Sequence, residues 1–92
     1  MRKEAINVQK IEYTITDENG IHARPAGLFV KKASTFSSDI QVKLGEKTAD
    51  AKRLFGLMGL GVKCRDTIVV TISGEDEQKA ACDLEAFLKT NL

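Results

Sequence analysis

From residue 11 the chain alternates. Ile11, Tyr13 and Ile15 are separated by Glu12, Thr14 and Thr16, the period-two pattern of a strand with one buried face. Asp17-Glu18-Asn19-Gly20 breaks the pattern with turn-forming residues. After Pro25 the period lengthens: Ala26, Phe29, Val30 and Ala33 stand at i, i+3, i+4 and i+7, one face of a helix that the polar run Ser34 to Ser38 ends. Ile40, Val42 and Leu44 alternate again. Gly45-Glu46 then suits a two-residue type II′ hairpin turn, with 47–50 returning as a short strand. Leu54, Leu57 and Met58 predict a helix of one or two turns over 53–59, kept short by Gly56, Gly59 and Gly61. Ile68, Val70 and Ile72 oppose Thr67, Val69 and Thr71 in a fourth strand. The last helix carries the stripe Ala80, Leu84, Phe87 and Leu88, with Ser73 or Gly74 as its cap and Glu75, Asp76 and Glu77 placing negative charge at its positive end. The order is βαββαβα. Strands polar on one side and helices apolar along one stripe predict an α+β fold, a four-stranded sheet with three helices on one face.

At 92 residues there is room for one domain, taken as 1–92. Hydrophobic residues at 42% and charged residues at 29% are ordinary for a globular chain. A net charge of +1 offers no global field for nucleic acid, so nucleic-acid binding is not expected and charge-driven recognition must be local. Cys64 and Cys82 make neither a disulfide framework nor a zinc pattern and read as reduced thiols. No secretory signal or membrane span is read in the sequence, so the expected location is the cytoplasm, without membrane insertion.

His22 is the only histidine. Metal binding is not expected, because a useful site needs three or four ligands. Pro25 is tolerated in a first helical turn, where its missing N–H would have had no intrahelical partner, so the helix starts at or just after His22. The free amides of Ala23 and Arg24 and the helix dipole then form an anion site beside the imidazole. A dianionic phosphoryl group on the ring gains roughly 0.3–2 kcal/mol from the dipole alone. Arg24 adds a permanent cation whose planar fork matches phosphate oxygens. The same positive end disfavours imidazolium and leaves one ring nitrogen free to attack. Phosphoryl transfer asks a protein mainly for positioning and charge stabilisation. With no nucleotide cradle, second base or metal cluster, the group must arrive from another protein and leave for one. By position alone, a lone histidine before a helix also reads as a cap or surface residue.

Gly20-Ile21-His22-Ala23-Arg24-Pro25-Ala26 resembles the active-site signature of HPr, the histidine-containing phosphocarrier family of the bacterial sugar phosphotransferase system. Lys52-Arg53-Leu54-Phe55-Gly56-Leu57-Met58-Gly59-Leu60-Gly61 resembles the family's second helix and the turn after it. The similarity covers about residues 11–90 and implies an open-faced β-sandwich with an antiparallel sheet. It also implies that His22 is phosphorylated at Nδ1, that Arg24 is the site arginine, and that the amides of Ala23 and Arg24 hold the phosphoryl group. Asn19 falls where the family often has a small polar residue near the ring. The implied partners are enzyme I as donor and the A domains of enzyme II proteins as acceptors, with no cofactor. The chain would be a monomeric intermediate carrier with no turnover of its own. A nitrogen-linked phosphotransfer paralogue and a regulatory docking module are the alternative readings.

The family's docking surface, built from the first two helices, maps onto Ala23, Arg24, Gly27, Lys31, Arg53, Leu54, Phe55 and Met58. Apolar residues with a basic rim suit acidic partners. Leu54, Leu57 and Met58 are expected to divide between core and surface. Many Gram-positive members carry a regulatory serine at the start of the second helix. Arg53 stands there instead, so control by phosphorylation of that residue is in question while docking to enzyme I is expected to survive. Arg53 also forgoes the side-chain oxygen of a helix cap, at a cost of about 1 kcal/mol, which Asp50 is expected to offset in part. Residues 1–7 are expected to be a frayed extension.

Overall fold

The computed structural model describes residues 8–92; the expectation for 1–7 lies outside the described residues. In chain order the elements are β1 (Val8–Thr14), α1 (Ala23–Ala33), β2 (Asp39–Leu44), β3 (Lys47–Asp50), α2 (Leu54–Met58), β4 (Thr67–Ser73) and α3 (Glu77–Asn91). The strands form one antiparallel sheet in the order β1-β4-β2-β3. The predicted α+β class and βαββαβα order are the observed ones. β1 begins at Val8, earlier than the apolar alternation, and Ile15 lies just beyond its end yet is fully buried.

The register places the apolar rows side by side on one face. Ile11 pairs with Val70, Val70 with Val42, and Val42 with Ala49, while Ile40 pairs with Ile72 and Tyr13 with Ile68. β4 lies between β1 and β2, and its Ile68, Val70 and Ile72 are fully buried. From the helices come Ala26, Phe29 and Ala33 of α1, Leu57 of α2, and Ala80, Leu84 and Leu88 of α3. Phe29 and Phe87 meet with ring centroids 5.6 Å apart, tying α1 to α3. Burying Phe29 alone contributes about 1.5–3 kcal/mol. The β2–β3 hairpin turns on Gly45 at φ 61°, and Glu46 does not share the positive φ, as a type II′ turn requires.

The cap of α3 differs from expectation. The N-cap is Asp76, not Ser73 or Gly74, and its carboxylate caps no helical amide. It turns instead to the loop before β2, accepting hydrogen bonds from the Ser37 amide (2.9 Å), the Ser38 amide (3.0 Å) and the Ser38 hydroxyl. The chain passes closely here: a Cβ on Gly74 would stand 2.6 Å from the Ser38 Cα. Glu77 reaches back to accept from the Gly74 amide at 3.0 Å. Of the three acidic residues read as helix-end charge, only Glu77 lies in the first turn.

The Ser38 hydroxyl, and after it the Ser37 amide, hold the Asp76 carboxyl down from its ordinary 3.8 to about 2. A carboxylate whose folded pKa is depressed adds stability above its unfolded pKa and loses it as pH falls through the folded one. Urea midpoints between pH 6 and pH 2 should therefore drop more steeply for the natural chain than for Asp76→Asn, with the extra loss confined to about pH 4 to pH 2. Parallel curves would show that Asp76 carries no such linkage.

Candidate functional site at the start of α1

The chain enters α1 between two buried anchors, Ile21 and Pro25, with the half-exposed His22 between them. Gly20 sets the approach. Its φ is 65°, and an added Cβ would lie 2.2 Å from the Val62 carbonyl oxygen. The next amide, that of Ile21, donates to the same oxygen at 3.1 Å. The turn is thus seated on the backbone that follows α2, where no side chain fits.

His22 is the N-cap of α1, extended at φ −103° and ψ −179°, and its side chain caps no amide. The first helical hydrogen bond runs from the Ala26 amide to the His22 carbonyl at 2.9 Å. In the first turn the amides of Ala23 and Arg24 have no helical carbonyl to donate to and stand at the positive end of the dipole, while Pro25 there has no N–H to leave unpaired. No acidic residue occupies the first turn to offset that end. Arg24 is exposed and shares with His22 a depression of about 310 Å³, lined also by Asp17, Pro25, Leu28 and Asn91.

Asp17 is a turn residue by sequence, yet in the fold it also faces the ring. Its Oδ2 stands 3.7 Å from His22 Nε2, with the two side chains 28% and 41% exposed. Asn19, expected near the ring, is exposed; its amide closes a turn onto Asp17 Oδ1 at 2.8 Å, and its side chain is not among those lining the depression. An Asp that opens a turn is visible in sequence, but the direction of its free oxygen is not.

The expected docking residues fall along α1 and α2, which pack against each other. Ala23, Arg24 and Arg53 are exposed, and Gly27 and Leu54 are half-buried. Phe55 is 86% exposed and Met58 is also at the surface, while Leu57 is fully buried. Lys31 is exposed and lines the groove between α1 and α3. Arg53 caps no amide with its side chain. Asp50 offsets this only by building the turn before α2: it accepts from the Lys52 amide at 2.9 Å and lies 3.9 Å from Arg53 Nε.

Residues 9–90 match the family model described as the PTS HPr component phosphorylation site. The chain belongs to the HPr family. It is a phosphocarrier of the phosphotransferase system, the role that its sequence predicted. The phosphocarrier protein HPr of Haemophilus influenzae is 45% identical over 76 residues, covering 83% of this chain and 89% of that one. Among solved structures, the histidine-containing phosphocarrier protein of a mycoplasma superposes with a TM-score of 0.87 at 32% identity, covering 89% and 93% of the two chains. An HPr dimer from Thermoanaerobacter tengcongensis gives 0.62 at 40% identity, covering 82% and 92%. Among the described residues no helix of this HPr-family chain is long and apolar enough to cross a membrane.

Two glycines separate a geometric requirement from a convenience. Gly20→Ala combines a left-handed backbone with the collision at Val62 and should cost about 2–4 kcal/mol in urea unfolding. At Gly27, inside α1, an added Cβ meets nothing within 4 Å. Gly27→Ala should add about 0.5–1 kcal/mol by helix propensity. Equal effects at the two positions would contradict the packing described.

Proposed function

We propose that His22 accepts a phosphoryl group at Nδ1 from phosphorylated enzyme I and passes it to the A domain of a sugar-specific enzyme II. The observation that carries this reading is the N-cap histidine beside Arg24 and two amides that have no partner among the described residues. The pentacoordinate phosphorus of an in-line transfer spreads charge over its equatorial oxygens. The amides of Ala23 and Arg24 and the Arg24 guanidinium supply donors for those oxygens that need no reorganisation during transfer. A half-exposed ring in a shallow depression also suits a group exchanged between two proteins, since donor and acceptor must both reach it. The site is complete within one chain, and in this reading the carrier works as a monomer in the cytoplasm.

Docking follows from the surface beside the ring. An aromatic side chain as exposed as Phe55 leaves apolar area in water that a partner would cover. Together with Leu54 and Met58 it supplies the apolar part of the docking face, and the exposed cations Arg24 and Arg53 steer acidic partners. Arg53 offers no hydroxyl for a kinase, so in this reading the chain carries its phosphoryl group without switching at that position.

Incubation with phosphoenolpyruvate and enzyme I should add the mass of one acid-labile phosphoryl group, and His22→Gln should abolish it. A label that persists in that variant would place the acceptor elsewhere. Phe55→Ala should raise the Kd for enzyme I about tenfold, the loss of more than about 1 kcal/mol that sets a contributing interface residue apart, while changing folding stability by no more than about 0.5 kcal/mol. Unchanged affinity would remove α2 from the docking face.

A further inference from the structure

Among the described residues, three polar groups of Asp17 are hydrogen-bonded and the fourth faces the ring. Its amide donates to the Leu92 carbonyl at 2.9 Å, its carbonyl accepts from the Gly20 amide at 2.9 Å, and Oδ1 accepts from the Asn19 amide at 2.8 Å. The remaining polar atom, Oδ2, faces His22 Nε2 at 3.7 Å. A side chain so fixed cannot turn away without breaking its own turn. The separation is about half an ångström beyond hydrogen-bond range, the kind of gap that closes when the facing ring gains charge.

We propose that Asp17 is a positioning residue that keeps the His22 proton on Nε2 and directs phosphoryl attack to Nδ1. The inference rests on the reading of His22 as the phosphoryl acceptor. An ionised carboxylate has no proton to give, so it favours the tautomer that presents Nε2–H to it and leaves the lone pair on Nδ1. It also closes the other route, because a phosphoryl dianion on Nε2 would lie against a carboxylate. In the step itself the Nδ1 lone pair forms the new N–P bond. The donor's bond to phosphorus breaks with its electron pair staying on the donor, and the Nε2 proton remains in place. The ring becomes imidazolium as the bond forms, and Asp17 faces the charge that develops. On the return step the same cation leaves phosphorus as neutral imidazole, its proton still toward Asp17. Arg24, lining the same depression, supplies the opposite charge for the phosphoryl oxygens.

The tautomer and attack site are read without a partner protein, and charging by enzyme I is measured separately. Long-range ¹H–¹⁵N correlation of the neutral His22 ring reports the tautomer, and phosphoramidate, a small chemical phosphoryl donor, reports which nitrogen is attacked. Asp17→Asn keeps an oxygen for the Asn19 amide and turns an NH₂ toward Nε2, inverting the hydrogen-bond polarity. Asp17→Ser keeps the local turn acceptor and leaves nothing facing the ring. The expected order of Nε2–H population is Asp, then Ser, then Asn. The ratio of Nδ1 to Nε2 product should fall on the order of tenfold from the natural chain to Asp17→Asn. A residue that merely stabilised the turn would not reverse the tautomer in a variant that preserves it. The same tautomer and product ratio in all three folded proteins would overturn the proposal, even if enzyme I still charges His22. Failure of enzyme I to charge His22, with the tautomer order intact, would overturn the carrier reading and leave the role of Asp17 in the ring's protonation standing.

Discussion

Between β1 and α1 the chain turns on Gly20, whose backbone approaches the Val62–Lys63 segment so closely that a Cβ would stand 2.2 Å from a carbonyl oxygen. Much of the site depends on this contact. It seats the residues before α1 on the segment after α2, and the buried side chains of Ile21 and Pro25 then pin the helix start on both sides of His22. The histidine is therefore placed by its backbone and its neighbours, not by a capping bond of its side chain. It caps no amide and sits half-exposed where two anchored neighbours leave it, an arrangement that spares the ring for chemistry.

Leaving the start of α1 uncapped has a cost, since an Asn, Asp, Ser or Thr there would typically add about 1 kcal/mol. The open amides are what a phosphoryl group would occupy, so the missing cap and the anion site are one feature. The charge distribution follows the same logic: the first turn carries no acid, Arg24 stands beside the ring, and Asp17 approaches it from the Nε2 side. Across the molecule, at the start of α3, the local choice is different. Asp76 is the N-cap there, and its carboxylate joins α3 to the Ser37–Ser38 loop.

The elements were legible because each apolar stripe matches one period: Ile68, Val70 and Ile72 can only be a strand face, and Ala26, Phe29 and Ala33 only a helix face. Sheet order was not, since the placement of β4 between β1 and β2 depends on contacts across many residues that no local pattern records. The cap of α3 was misassigned for the same reason: Asp76 is satisfied by Ser37 and Ser38, far away in sequence. The position of the start of α1 could be read from Pro25, a local constraint. Asp17 could not, because turn chemistry explains the residue fully until its second oxygen is seen facing the ring. The surface of α2 was half legible, with Leu57 buried and Phe55 left to solvent on a helix too short to show a period.

If His22 carries the phosphoryl group as proposed, the amides at the start of α1 would hold it. The most direct measurement is a ¹H–¹⁵N amide spectrum of the chain before and after charging by phosphoenolpyruvate and enzyme I. The Ala23 and Arg24 amide protons should move strongly downfield, as donors to phosphoryl oxygens do, while amides of the β2–β3 hairpin stay in place. Full charging of His22 with the Ala23 and Arg24 amides unmoved would contradict it.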